Sequence, residues 1–261
     1  MRWRAPRGTG LAVALALVGL VAVPALAVVI QQGQLRVMIS ARLQPFKLPR
    51  TGTAPVDVFI AGHIASTDGP TPPQLRRMDI LLNHHGRIDP GALPRCHLRQ
   101  IATATNQQAL ERCGRALVGA GHFWASIVLP SQRSYHTTGR LLVFNGVQAG
   151  RPYLFAHIYT AIPFPSSFAV SFSIRHVHRG PYGTELSASL PEALGDWGYV
   201  NRIKMTVGRA RNAERGSYIS AGCPAPKDTR IASFSLALVE FHFAGGKQMR
   251  ASLNQPCAVR E

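Results

Sequence analysis

Apolar residues recur at every second position along most of this chain. Only an extended strand with one buried and one solvated face makes use of that period. In residues 56–64, Val56, Val58, Ile60 and Ile64 alternate with Asp57, Phe59 and His63, and in 122–129 Phe123, Ala125, Ile127 and Leu129 share one face. The same reading predicts strands at 35–41, 76–84, 97–103, 140–146, 152–160, 167–178, 199–207, 216–221, 231–244 and 247–255. Turn residues separate them: Asp68-Gly69-Pro70, Asp89-Pro90-Gly91, Asn145-Gly146, Arg179-Gly180-Pro181, Gly195-Asp196 and Gly245-Gly246. About ten short strands in succession predict a mainly β chain, an antiparallel β-sandwich of jelly-roll or immunoglobulin-like type, with a closed barrel as the alternative.

One segment has a different period. Thr105-Asn106-Gln107-Gln108 has the form of a capping box, and Ala109, Leu110, Cys113, Ala116 and Leu117 follow at helical spacing before Gly119. This predicts one short helix near 106–118. Strand 231–243 is apolar on both faces in its first half, with Ile231 and Ala237 opposite Phe234, Leu236 and Leu238. Such a strand suits a central position passing under the helix.

Four cysteines, Cys96, Cys113, Cys223 and Cys257, allow three disulfide connectivities. Local pairing, Cys96 with Cys113 and Cys223 with Cys257, is favoured because turn residues flank each pair: Pro94, Pro224 and Pro256. A two-residue turn at Gly245-Gly246 would set Cys257 opposite Phe234, near the point where the segment from Cys223 enters the strand. Loop closure gives the two bridges about 3 and nearly 4 kcal/mol. No C-x₂-C pair points to zinc instead.

The N-terminal region reads as an export leader. Arg2, Arg4 and Arg7 precede an uncharged run from Leu11 to Ile30, Pro24 breaks that run, and Ala25-Leu26-Ala27 follows as a small-x-small cleavage signal. Cleavage after Ala27 would remove three arginines and leave 234 residues carrying +14 of the full chain's +17. An uncleaved anchor is the alternative, since the run is long enough for a bilayer core of roughly 30 Å. The expected organisation is a signal peptide at 1–27, an N-terminal segment and linker at 28–55, and a single β-sandwich domain at 56–261. Leu48-Pro49-Arg50-Thr51-Gly52 matches the sorting pentapeptide for attachment to Gram-positive cell walls. It lies just after the leader and lacks the apolar stretch and basic tail that complete that signal, so it reads as linker.

No catalytic constellation emerges. The chain has no G-x-S-x-G, H-E-x-x-H, phosphate-cradling glycine loop or S-x-x-K set. Tyr218-Ile219-Ser220-Ala221-Gly222 lacks the first glycine of a nucleophile elbow. Carboxylates are few, and none lies between Arg112 and Thr184, a stretch that contains seven arginines. Asp57, Asp68, Asp79, Asp89, Glu185, Glu192, Asp196 and Glu240 form no recognisable acid–base pair in sequence. His176 and His178 leave the same face of a strand, but Phe168, Val170, Phe172 and Ile174 share that face and Arg175 and Arg179 flank them, so they read as a rim of the core. His84 and His85 point to opposite faces, and His157 lies among Tyr153, Phe155 and Tyr159. No metal site and no cofactor is expected.

The chain has 29 Lys and Arg against 12 Asp and Glu, and only Lys47, Lys204, Lys227 and Lys247 of the basic residues are lysines. The nearest approach to a patch is Arg202, Lys204, Arg209, Arg211 and Arg215, after Trp197 and Tyr199, and it is the expected anion-binding region. Outside a cell the available anions are lipid head groups, wall polymers and DNA. No nucleic-acid motif is present, and a membrane enters only through an uncleaved leader.

Several stretches resemble a family of exported proteins of high-GC Gram-positive bacteria to which no activity is assigned. They are Leu48-Pro49-Arg50, Leu93-Pro94-Arg95-Cys96, Ala109-Leu110-Glu111-Arg112-Cys113-Gly114, Phe144-Asn145-Gly146, Trp197-Gly198-Tyr199-Val200 and Ser217-Tyr218-Ile219-Ser220-Ala221-Gly222-Cys223-Pro224. The resemblance implies export and paired cysteines and carries no functional residue. The expectation is a secreted or envelope-facing, non-enzymatic protein with a binding or structural role. The alternatives are a secreted hydrolase of envelope glycans or lipids, and a binder of anionic polymers or lipids.

Overall fold

The computed structural model describes residues 27–69, 71–128, 134–162, 165–190, 198–208 and 217–260. Residues 1–26, all but the last of the expected leader 1–27, and Trp197, Arg209, Arg211 and Arg215 of the expected basic patch, lie outside the described residues. The chain is mainly β. Its first strands are β1 (Ala27–Gln32), β2 (Leu35–Gln44), β3 (Lys47–Leu48), β4 (Ala54–Pro55), β5 (Asp57–Ser66), β6 (Leu75–Asn83), β7 (Gly86–Ile88) and β8 (Cys96–His97). Two short helices follow, α1 (Leu98–Ile101) and α2 (Asn106–Cys113). Then come β9 (Leu117–Ile127), β10 (Tyr135–Gln148), β11 (Arg151–Thr160), β12 (Ser166–Arg179), β13 (Tyr182–Ser189), β14 (Gly198–Val207), β15 (Ile219–Ala221), β16 (Ile231–Phe243) and β17 (Gln248–Val259).

Thirteen of these strands join in the order β1-β2-β5-β14-β9-β10-β11-β12-β13-β6-β16-β17-β3, and β8 pairs beside β10. All of these pairings are antiparallel except β8 with β10 and β17 with β3. A second, three-stranded sheet runs β4-β15-β7. The long sheet curls until its ends meet: Leu35, Val37 and Ile39 of β2 share one apolar cluster with Val239, Phe241 and Phe243 of β16 and with Met249, Ala251 and Leu253 of β17. Further round, Phe123, Leu141, Val143, Ile158, Phe172 and Leu186 fill the interior from β9 to β13. Period two therefore places one face of every long strand inside. Residues 28–55 contribute β1 to β4 to this fold.

The local differences from the sequence reading have physical causes. Asn145-Gly146 makes no turn and lies within β10, paired with Leu154 and Tyr153. Asn145 is fully buried and donates its side-chain N–H groups to the carbonyls of Pro90, Leu93 and Pro94. A Cβ at Gly146 would meet the Phe155 ring at 2.5 Å, so the site is glycine because an aromatic ring lies against the backbone. The hairpin turn falls instead at Ala149-Gly150, both at positive φ.

The helix predicted over 106–118 ends at Cys113, a single 3₁₀ turn follows, and Leu117 already belongs to β9. Its capping box is present: Thr105 Oγ1 accepts from the Gln108 N–H, and the Gln108 side chain accepts from the Thr105 N–H. The strand expected at 97–103 is helical, as α1, behind a second box in which Gln100 accepts from the His97 N–H at 2.8 Å. Strand β16 does not pass under the helices. A bulge between Ser235 and Ala237 turns both Leu236 and Ala237 inward, which accounts for its two apolar faces. The bulge and a longer turn at 244–246 also place Cys257 opposite Ala232 and not Phe234.

Disulfides join Cys96 to Cys113 and Cys223 to Cys257, with Cα separations of 5.5 and 5.8 Å. The first fixes α2 to β8 on the outer face of β10 and β11, where Ile101, Ala104, Ala109, Leu142, Phe144 and Phe155 pack together. The second lies among Leu48, Val56, Ala225 and Phe234. The pentapeptide Leu48–Gly52 wraps the second bridge. Leu48 is fully buried, the Pro49 carbonyl accepts from the Cys223 N–H at 2.9 Å, and the Arg50 guanidinium donates to the carbonyls of Ala225, Pro226 and Thr229.

Candidate functional site

Strand alternation decides which side chains of β2, β5, β14, β9 and β10 face outward. Ladder pairing sets Ser40, Ala61, Lys204, His122 and Arg140 in one row across the five strands. In the next row stand Arg42, Phe59, Thr206 and Ala120. The rows complement each other: the first is small on β2 and β5 and large on the other strands, and the second is the reverse. An open hollow of about 600 Å³ results, lined by Arg42, Phe59, Ala61, His122, Arg140 and Lys204 among others. At ~4.8 Å between strands, five strands span about 19 Å.

Glycines bring the floor of this hollow close. A Cβ on Gly121 would lie 2.5 Å from the Met205 Cα, and one on Gly119 would lie 3.0 Å from the Val207 Cα. Strands β9 and β14 thus approach more closely than side chains would allow, directly beneath His122 and Lys204.

Three permanent cations, Arg42, Arg140 and Lys204, line the hollow, and among the described residues no carboxylate does. Asp57 shares the outer face of β5 but lies two residues beyond Phe59, outside the hollow. Two guanidiniums rest on aromatic faces: Arg42 over Phe59 at 4.9 Å and Arg202 over Trp124 at 5.2 Å. These contacts hold the cations in place without neutralising them. Of the expected basic patch, Arg202 and Lys204 alternate along β14 and share the outer face; Lys204 lines the hollow and Arg202 lies one row away. Arg42, His122 and Arg140 were not singled out in the sequence. The acid-free run 112–184 holds two of them, but their convergence depends on β2 and β14 lying beside β5 and β9, neighbours that chain order does not indicate.

The residues a hydrolase would need do gather, on the outer face of β6 and β16. Ligand atoms of Asp79, Glu240 and His242 all lie within 4.8 Å of one another. Their charges are already matched. Arg77 Nε donates to both Asp79 oxygens at 3.1 and 2.8 Å, His242 Nε2 lies 3.2 Å from Asp79, and Arg250 Nε lies 3.0 Å from Glu240. Burial alone would raise the Asp79 carboxyl, but hydrogen bonds from Arg77 and Ser187 and the charges of Arg77 and His242 outweigh it and hold the group below the usual range. A carboxylate so held is an ion-pair anchor and a poor proton donor.

His157 is fully buried beneath α1 and α2, and its Nε2–H donates to the Ala104 carbonyl at 2.9 Å. Nδ1 makes no hydrogen bond of good geometry, and burial lowers the ring's basicity against the backbone carbonyls that favour its protonated form. Ser220 lies in the short strand β15, paired with Pro55 and Arg87. Among the described residues no helix is long and apolar enough to cross a membrane. Two buried disulfides in a mainly β chain are compatible with an extracellular protein. No family model, curated protein or solved structure matches the chain.

Proposed function

We propose that the protein is an exported envelope component that binds an anionic polymer across the outer face of β2, β5, β14, β9 and β10. The observation that carries this reading is the 600 Å³ hollow lined by Arg42, Arg140 and Lys204 with no carboxylate among the described residues. Its concavity favours a flexible chain bearing phosphate or carboxylate groups over a planar membrane, which could touch the rim but not the floor. The leader residues, the paired cysteines and the resemblance to exported proteins support a site of action outside the cell. The finer architecture is read as a flattened sandwich, in which the β14-β9-β10 wall packs its apolar face against β12-β13-β6.

The experiment is binding of the tag-free protein to a soluble poly(glycerol phosphate) chain from 50 to 300 mM salt. Each phosphate contact on a flexible polyanion contributes about 0.7 to the slope of log K against log salt, so three cations give a slope of about −2. Arg140→Gln and Lys204→Gln should each flatten the slope by about 0.7. Binding indifferent to salt and to both substitutions overturns the proposal. So does equal binding to anionic lipid vesicles, which assigns the surface to membranes.

A further inference from the structure

The curled sheet has a second hollow, of about 420 Å³, at the end where the β12–β13 hairpin meets the turn after β6. Three histidines, His84, His176 and His178, line it together with Val177, Tyr182, Gly180 and Gly183, and the β12–β13 ladder shifts register between His176 and Arg179. Among the described residues no carboxylate lines it. The sequence placed His176 and His178 on one strand face, but His84 arrives from 92 positions earlier than His176 because β6 pairs with β13.

We propose that His84, His176 and His178 form a binding site for a borderline divalent transition metal such as Cu²⁺ or Zn²⁺. The first support is the state of His84. Its Nδ1–H donates to the Pro181 carbonyl at 2.8 Å, and its backbone N–H donates to the same oxygen at 2.9 Å. That arrangement fixes the tautomer and leaves Nε2 with the free lone pair, and metal-ligating histidines use their other ring nitrogen in the same way. The second is the placement of one nearby charge. Arg175 extends to the opposite face of β12, where it pairs with Glu185 at 3.0 Å, so its guanidinium is withdrawn from the imidazoles; Arg179, opposite Tyr182, is the one flanking cation that stays beside the site among the described residues. The third is the donor chemistry. Imidazole nitrogens without carboxylates select Cu²⁺, Ni²⁺ and Zn²⁺ over Ca²⁺ and Mg²⁺.

The rings line the hollow without closing to a common ligand distance; among the described residues only Asp79, Glu240 and His242 come within 4.8 Å of one another. All three histidines are exposed, so rotation of the His176 and His178 side chains toward His84, which its bond to the Pro181 carbonyl orients, completes the site. Affinity is therefore moderate.

The test is calorimetric titration of the tag-free full chain with Cu²⁺ or Zn²⁺ alone at pH 7.5, and electron paramagnetic resonance of the Cu²⁺ form. The expected result is one equivalent bound, with nitrogen hyperfine structure from imidazoles and no heat from Ca²⁺ or Mg²⁺. His84→Gln should lower affinity at least tenfold. The double variant His176→Gln/His178→Gln, which alters only exposed side chains, should lower it at least a hundredfold with an unchanged far-ultraviolet spectrum. The proposal is overturned if neither metal binds at one equivalent, or if the double variant binds as wild type does. Binding abolished by His242→Gln but retained in the double variant would also overturn it, by moving the metal to the Asp79 cluster.

Discussion

Replacing Cys223 and Cys257 with alanine should bring the fold close to its limit of stability. The two cysteines are 34 residues apart, and releasing a loop of that length returns about 3.8 kcal/mol of chain entropy to the unfolded state. Both sulfurs lie at 1% exposure or less in the cluster with Leu48, Val56 and Phe234. Removing each from packed surroundings costs roughly another 1 kcal/mol. The combined loss, about 5–6 kcal/mol, equals the whole stability of many domains. Loss of the Cys96–Cys113 bridge frees a separation of 17 and about 3.1 kcal/mol. That bridge fixes the α1–α2 cap to β8, so its removal should act locally. Urea unfolding supplies the magnitude, and amide hydrogen exchange supplies the location. For Cys223→Ala/Cys257→Ala, exchange should accelerate throughout β16 and β17; for Cys96→Ala/Cys113→Ala it should accelerate chiefly in α1 and α2. A loss below about 2 kcal/mol for the first variant would refute the reasoning. So would faster exchange confined to the helices in both.

Two further outcomes follow from single positions. Gly121→Ala puts a methyl group 2.5 Å from the Met205 Cα, and forcing β9 from β14 should cost about 2–3 kcal/mol and weaken polyanion binding; Gly114→Ala, in open space, is the control that should leave the melting temperature unchanged. His157 has its basicity lowered below the free value of 6.5. As pH falls below 6.5 the unfolded chain therefore takes up a proton before the folded one does. The stability is complete above about 6.5 and is lost as the pH falls toward the folded value, by at most about 1.4 kcal/mol per pH unit for each such group. His85, also lowered by burial, contributes in the same direction. His157→Gln keeps a donor for the Ala104 carbonyl and should remove one proton's share of the slope; an unchanged slope would show that His157 is not buried neutral.

Periodicity placed β5, β6, β11, β12, β14 and β16 to within two residues at both ends, because each of them buries one face and wets the other, whereas β2, β9, β10, β15 and β17 differ by three to five residues at one end. It failed where local rules gave way to packing. Asn145-Gly146 has the composition of a turn, yet its amide is consumed by three carbonyls of the 90–94 loop and its glycine by the Phe155 ring. The bulge at Leu236 changes the parity of β16, which no count of alternating residues anticipates. Of the cations that line the candidate groove only Lys204 was legible in the sequence; Arg42 and Arg140 join it only through the strand order β2-β5-β14-β9-β10. The trihistidine hollow was hidden for the same reason, since His84 reaches His176 and His178 by way of β13.

The wrapping of Leu48–Gly52 around the Cys223–Cys257 bridge also changes what that pentapeptide can mean to an enzyme. A transpeptidase must draw its target, extended, into a cleft, and here the leucine is under the core, a proline carbonyl is bonded to Cys223, and the arginine is tied to three carbonyls. Reading the motif would first require the local structure to open and the arginine to release its three acceptors. The folded state thus withholds a pentapeptide that the bare sequence only happens to match, and peptides copied from this stretch would be open to an enzyme in a way the intact protein is not.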